Sequence, residues 1–529
     1  LLFIKHKWLM WSTLALAFAA LILLMRTTKT GLVPNEDQGT VMVNVTLAPG
    51  SSLAETSAVM EELSRRFEKI PQIRDFNAIA GYGMIAGQGP SYGMCIVKLK
   101  DWDERPEKKD AVNAVIGQIY ALTADMKQAQ IFALAPPMIS GYGTGNGISM
   151  HLQDRAGGST EDFFRISQQF IGALNQRPEF ERAISTFNIN FPQYMVDIDA
   201  AKAKRAGVSP TSILSTISGY YGGQYVSFFN RFSKVYRVII QADPKYRLDA
   251  ESLNNVFVRT SNGEMAPVSQ FAKLTKTYGA EVLNRFNLYN SIAIQGTNAA
   301  GYSTGEAIEA VRETAAEILP HGYGFEFDGI TREESQTANN TTVIFGICIL
   351  LIYLILSALY ESFVIPFAVI LSVPCGLMGS FLIAKIMGLE NNIYLQTGII
   401  MQIGLLSKTA ILITEYAADR RTAGMSLTQA AVSAAKARLR PILMTVLTCV
   451  FGMLPLMFAH GVGANGNSTL GSGVVGGMTV GTLALLFLVP TLFIVFQTIQ
   501  EKIKPIEFNP DPQWAVRAEV EECKNEKEK

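Results

Sequence analysis

Cysteine and histidine are scarce in this 529-residue chain, and neither is grouped. The five cysteines, Cys95, Cys348, Cys375, Cys449 and Cys523, are odd in number, far apart and in no CxxC or Cys/His spacing. That argues against a disulfide framework and a zinc site. The four histidines (His6, His151, His321, His460) are scattered, so neither a metal nor a cofactor is expected. Charge is sparse too. Charged residues make up 17%, against about 25% in soluble proteins, and 45 Lys plus Arg balance 45 Asp plus Glu. Zero net charge argues against a nucleic-acid binder, which needs a basic surplus to neutralise phosphates. No GxSxG, HExxH, P-loop or kinase signature occurs, so no catalytic residue is expected and an enzyme is disfavoured.

What is present is apolar sequence: 49% hydrophobic residues and a mean hydropathy of +0.21, which exclude disorder. The length alone allows three or four domains. Six nearly charge-free stretches approach or exceed the roughly 18–20 residues that span a bilayer: Trp8–Met25, Val343–Tyr360, Phe363–Met387, Ile393–Ile413, Pro441–Phe458 and Gly471–Phe496. The first resembles a signal peptide with Lys5 and Lys7 in front, but Arg26 and Lys29 follow it rather than a cleavage pattern, so it reads as a membrane helix. The chain starts at Leu1 and is expected to be cut from something longer. Basic residues gather before the first span, in the loop with Arg420, Arg421, Lys436, Arg438 and Arg440, and at Lys502 and Lys504. The positive-inside rule then puts both termini in the cytoplasm and the long insert on the other side.

The insert alternates strand and helix patterns. Thr40–Leu47, Ser52–Lys69, Phe76–Ile79, Tyr92–Leu99, Asp110–Ala124 and Gln130–Leu134 spell βαββαβ, a ferredoxin-like unit. A second unit is expected from Ile148–Gln153, Thr160–Gln176, Tyr194–Ile198, Ser291–Gly296, Thr304–Ile318 and Gly324–Phe327, interrupted by roughly 199–285. The loop Gly81–Gly89, with Gly81, Gly83, Gly87 and Gly89, reads as a flexible connection between hairpin strands, not as a dinucleotide loop. Gly141–Gly147 reads as a linker between the units.

Lys408 lies near the middle of the fourth apolar stretch, too deep to snorkel comfortably, and such a charge is functional by default. Gly404 sits one turn earlier on its face, where another helix could approach. The acid nearest on that helix, Glu415, is about 10 Å further along the axis. Arg438 and Thr445, seven residues apart, share one face of the fifth stretch. A lysine, an arginine and a threonine without a carboxylate at depth make an incomplete proton relay. The charge inventory implies a partner that carries the acid.

Several long motifs occur in order: Gly404-Leu-Leu-Ser-Lys-Thr-Ala-Ile-Leu-Ile-Thr-Glu-Tyr-Ala417, Arg438-Leu-Arg-Pro-Ile-Leu-Met-Thr445, Ala358-Leu-Tyr-Glu-Ser-Phe363, Pro34-Asn-Glu-Asp-Gln-Gly39, Lys100-Asp-Trp102 and Ser303-Thr-Gly-Glu-Ala307. They resemble the resistance-nodulation-division (RND) family, hydrophobe/amphiphile multidrug efflux branch, C-terminal half. The resemblance implies an α-helical polytopic membrane protein with six transmembrane helices. It also implies a large α+β periplasmic domain of two ferredoxin-like βαββαβ porter units and an inserted docking subdomain. The division would be 1–30 first transmembrane helix, 31–142 first porter subdomain, 143–198 and 286–335 second porter subdomain, 199–285 docking subdomain, 336–498 five transmembrane helices and 499–529 cytoplasmic tail. It implies proton-driven efflux of small amphiphilic drugs across the inner membrane of a Gram-negative bacterium. The partners implied are an N-terminal half with paired aspartates, two further copies in a homotrimer, a periplasmic adaptor and an outer-membrane channel. Lys408, Arg438 and Thr445 match relay positions, and 81–89 matches a switch loop. Tyr82, Met84, Ile96, Phe132, Leu134 and Pro136 match drug-pocket positions. Met84, Ile96 and Leu134 stand where well-studied members carry phenylalanine; Gly141 and Thr186 replace an acid and an arginine near the entrance.

Two alternatives differ in what they need. A heavy-metal exporter of the same family would want convergent methionines, and Met84, Met94, Met138 and Met150 cluster only loosely. A membrane-tethered binding domain without transport would leave Lys408 without a task.

Overall fold

The computed structural model describes residues 3, 6–84, 87–143, 145–299 and 301–506. Lys5, Ile85 and Ala86 of the glycine loop, and the tail after 506 with Cys523 lie outside the described residues. Two compact units result: Leu1–Thr186 with Asn284–Lys529, and Phe187–Leu283.

The first unit holds two sheets. In one, β1 (Thr40–Leu47), β2 (Ile73–Gly83), β3 (Gly87–Leu99) and β4 (Ala129–Leu134) lie in the order β2-β3-β1-β4, antiparallel throughout. Alternation along β1 decides its faces: Val41, Val43 and Val45 are fully buried. They pack with Val59, Leu63 and Phe67 of α2 (Leu53–Phe67) and Val115 and Ile119 of α3 (Val112–Thr123). Ser52 opens α2 with a reciprocal capping box to Glu55, satisfying orphan N–H groups.

The second sheet contains β5 (Ile148–Asp154), β6 (Phe180–Ile184), β7 (Tyr289–Asn298) and β8 (Tyr323–Phe327). β7 pairs with both β5 and β6, and β5 with β8. The helices α4 (Thr160–Leu174) and α5 (Thr304–Ile318) follow β5 and β7. One strand differs from expectation. Phe191–Ile198, which contains the expected strand Tyr194–Ile198, pairs with Ala272–Gly279 inside the other unit. The five-residue β6, with exposed Glu181 and Arg182, takes its position beside β7. So short and charged a segment has little of the alternating pattern that identifies a strand.

The unit Phe187–Leu283 has its own core of Val208, Ile213, Leu253, Val256, Val268 and Phe271. It also carries a hairpin, Gln224–Arg231 against Lys234–Ile240. Phe232 and Ser233 turn it with φ of 53° and 58°, the two-residue geometry that matches strand twist.

Among the described residues six helical segments are long and apolar enough to cross a membrane. They are α1 (Lys7–Thr27), the Val343–Tyr360 part of α6 (Gly329–Tyr360), the pair α7 (Pro366–Ile370) and α8 (Val373–Ile386), α9 (Ile393–Thr422), α10 (Leu427–Met457) and α11 (Ala464–Ile503). α10 begins earlier than its apolar stretch because Ser426 caps an alanine-rich turn before it. α11 packs on α8, α9 and α10, and glycine sets the distance. A Cβ at Gly379 would lie 2.6 Å from the Gly476 carbonyl, and one at Gly476 lies 2.6 Å from the Gly379 carbonyl. These two backbones touch with no side chain between them.

Candidate functional site

Lys408 sits near the middle of α9 and is exposed on the bundle surface. Its neighbours Leu406, Ala410 and Ile413 turn inward to Ile442 and Val446 of α10, which leaves the lysine on the outer side. Gly404 is exposed on the same surface, and a methyl there would meet nothing within 4 Å. Thr445 is exposed on α10, its hydroxyl donating to the Ile442 carbonyl at 2.9 Å. No ion pair or hydrogen bond engages the Lys408 ammonium among the described residues.

Arg438 is half-buried two turns before Thr445. Its Nε–H is buried without a hydrogen-bond partner, and its guanidinium lies 4.6 Å over the ring of Tyr416. Arg420 lies 4.7 Å over the same ring and donates to the phenol oxygen at 2.9 Å. Sequence reading passed over Tyr416, because an aromatic residue near a helix end resembles core. It also passed over Gln402 in the bundle interior, whose Oε1 meets the Ser380 hydroxyl; that hydroxyl also lies 2.7 Å from the Gly473 carbonyl.

The first sheet gathers several of the expected pocket residues. Ile96 and Leu134 both pair with Met42, and Phe132 pairs with Asn44. Paired residues share a face, and Met42 and Asn44 alternate with the core-facing valines, so this face lies opposite the helices. Phe132, Leu134 and Pro136 are buried. Met84 joins them through its N–H, which donates to Asn44 Oδ1 at 3.0 Å. Tyr82 is exposed at the end of the hairpin, beyond a bulge. Gly81 and Gly87 have φ of 87° and 83°, the left-handed region that glycine adopts without strain. All four glycines lie within the strands, Gly81 and Gly83 in β2 and Gly87 and Gly89 in β3. Of the methionines, Met94 is in this sheet and Met150 in the core of the other.

The motif Pro34–Gly39 has a structural task. Glu36 accepts the N–H groups of Gly466 (2.7 Å) and Asn465 (3.2 Å) in the first turn of α11, where a carboxylate favours the helix dipole. Asp37 accepts both terminal nitrogens of Arg105, at 2.6 and 2.8 Å. Burial opposes the charge of Asp37, but Arg105 and the N–H groups of Gly39 and Val112 outweigh it and hold the carboxyl below its usual range.

Another cluster lies where the chain leaves α1. Asn391 N donates to the Lys29 carbonyl (2.7 Å), Gly31 N to the Asn391 carbonyl (3.2 Å) and Gly305 N to the Thr30 carbonyl (3.2 Å). Thr304 donates to Glu334 at 2.5 Å, and a Cβ at Gly31 would stand 2.8 Å from Glu390 Oε2. Burial pushes the Glu334 carboxyl up to about 7, against the Thr304 hydrogen bond and with help from the Glu390 charge. Burial also raises Glu390, offset by Lys29 and reinforced by Glu306.

An apolar helical bundle joined to a sheet-containing domain defines the class: an α-helical membrane protein with a domain outside the bilayer. The profile of the AcrB/AcrD/AcrF family matches residues 2–497. The chain is 36% identical over 488 residues to the multidrug/solvent efflux pump membrane transporter MepB of Pseudomonas putida, covering 92% of this chain and 46% of that protein. It is 32% identical over 490 residues to the multidrug resistance protein MdtF of Escherichia coli K12 (92% and 47%). It is 34% identical over 466 residues to the solvent-resistant pump membrane transporter SrpB of Pseudomonas putida (88% and 44%). The chain belongs to this family, the RND multidrug efflux transporters. It spans a little under half the length of these relatives.

Proposed function

We propose that this chain is the C-terminal half of a transporter in the inner membrane of a Gram-negative bacterium. The transporter uses the proton-motive force to export hydrophobic and amphiphilic compounds. The observation that carries the reading is the open side of the bundle, where Lys408, Gly404 and Thr445 are exposed and the Lys408 ammonium has no partner among the described residues. An apolar second half bearing paired aspartates would cover that side and supply the acids. A lysine charge against them would be released when protons load the carboxylates, and Arg438 and Thr445 would complete the path.

The remaining assignments rest on the same reading. The strand orders β2-β3-β1-β4 and β6-β7-β5-β8 support two ferredoxin-like porter units, and the unit Phe187–Leu283 is the docking subdomain. The basic residues in the last turn of α9 and the first half of α10 support a cytoplasmic position for both termini and a periplasmic one for the sheets. The face with Ile96, Phe132 and Leu134 lines the drug path, and Tyr82 and the loop after it form the switch. Three copies of the complete transporter act with a periplasmic adaptor and an outer-membrane channel.

The test is Lys408→Ala in the full-length transporter, with efflux of a fluorescent amphiphilic dye measured at matched expression. Export should vanish. Undiminished export would overturn the relay.

A further inference from the structure

An arginine at the margin of a membrane helix needs something to hold its charge, because removing it from water is costly. Arg438 has no carboxylate in contact among the described residues, and its buried Nε–H has no acceptor. What meets the guanidinium is the ring of Tyr416, 4.6 Å away on the neighbouring helix. That is within the reach over which an aromatic face attracts a cation.

The ring is itself fixed. It packs against the cluster of Ala431, Ala434, Phe493 and Ile494, contributed by α10 and α11. Its hydroxyl accepts from Arg420, four residues further along α9. The other charges of this region lie elsewhere on the three helices. Glu415, Asp419, Lys436 and Arg440 are exposed, and Arg421 is bound to Glu501 at 2.8 and 2.9 Å.

We propose that Tyr416 is a positioning residue for the relay: its ring holds Arg438 on the side of α10 that carries Thr445 without neutralising it. This rests on the proton-relay reading above. The physical point is the choice of partner. A carboxylate at 416 would hold the arginine more firmly but cancel its charge. A quadrupole orients the guanidinium and leaves the full charge available to carboxylates whose protonation changes during a cycle.

The experiment uses the full-length transporter in proteoliposomes with an imposed pH gradient, with dye transport measured per correctly inserted molecule. Tyr416→Leu should lower the maximal rate about tenfold, shift its pH profile and leave the apparent KM for dye unchanged. Tyr416→Phe and Tyr416→Trp, which keep an aromatic face, should recover most of the rate. Phenylalanines with increasing fluorination at 416 keep the ring's shape while draining charge from its face. The rate should fall in step with fluorine number, and this series remains decisive if Tyr416→Leu fails to insert. A flat fluorination series, or a Tyr416→Leu protein with the unaltered rate and pH profile, overturns the proposal. If Lys408→Ala abolishes transport while the 416 series is flat, the relay stands and only the role of Tyr416 falls. If Lys408→Ala transports normally, the relay falls first.

Discussion

Arg105 presents both of its terminal nitrogens to one carboxylate, that of Asp37, and its side chain is 2% exposed. The pair ties the segment before β1 to the loop after β3. Trp102 completes the contact, donating to the Asp37 carbonyl at 3.1 Å and lying under the guanidinium. Removing one partner strands a buried charge. Asp37→Ala should destabilise the sheet domain by about 3–5 kcal/mol, measured as a lowered thermal unfolding midpoint of the purified transporter. Arg105→Lys should rescue little, since an ammonium cannot engage both oxygens in the fork geometry.

The contact between Gly379 and Gly476 leaves no room for a methyl. Either residue changed to Ala should cost about 1–3 kcal/mol through overpacking, read as loss of detergent-resistant folded transporter. Gly404→Ala meets open space in this chain. It should be silent for the fold of this bundle and reduce transport only if a second set of helices closes on that surface.

Asn44 holds the first residue beyond β2 through the Met84 N–H. Asn44→Ala should loosen the glycine loop without disturbing the core, because Val43 and Val45 point the other way. The expected result is altered relative susceptibility to several exported compounds at unchanged expression. A uniform change across all compounds would instead indicate a folding defect.

The Glu334 carboxyl is raised to about 7 from an ordinary 4.5. Because the folded value lies above the unfolded one, its contribution is fully present below about 4.5 and is lost as pH rises through about 7. The junction of Lys29–Leu32 with Leu389–Ile393 and Thr304 should therefore tighten in acid and loosen in mild alkali. Amide exchange at residues 29–32 and 389–393, corrected for its intrinsic pH dependence, should quicken between about pH 6 and pH 8. Glu334→Gln should flatten that response.

What was legible in the sequence followed from one-dimensional physics. The apolar stretches stood out by length, and Lys408 by being a charge inside one of them. The common face of Ile96, Phe132 and Leu134 follows from alternation with the buried valines of β1 once the strands are paired. Other features depend on which segments meet. Tyr416 gains its task from Arg438 on another helix, and Glu334 its raised carboxyl from burial in a junction of distant segments, with the charge of Glu390 adding to it. β6 lacks a legible signal because five residues with charges outward carry no clear period, whereas the alternation of Tyr194–Ile198 reads as the better strand. The reciprocal glycines of α8 and α11 looked like ordinary small residues in two apolar runs.

Glu36 and Asp37 are consecutive, yet they grip different things: one the first turn of α11, the other the arginine at the foot of a sheet. A single peptide unit therefore works as a crank pin between bundle and sheet. An axial shift of α11 would be delivered to Arg105 with little slack, since one grip is a glutamate held by two backbone N–H groups and the other a two-pronged contact to a buried guanidinium. The stiffness of this link, more than the breadth of any packed surface, then sets how faithfully a small displacement among the helices is reproduced outside the bilayer.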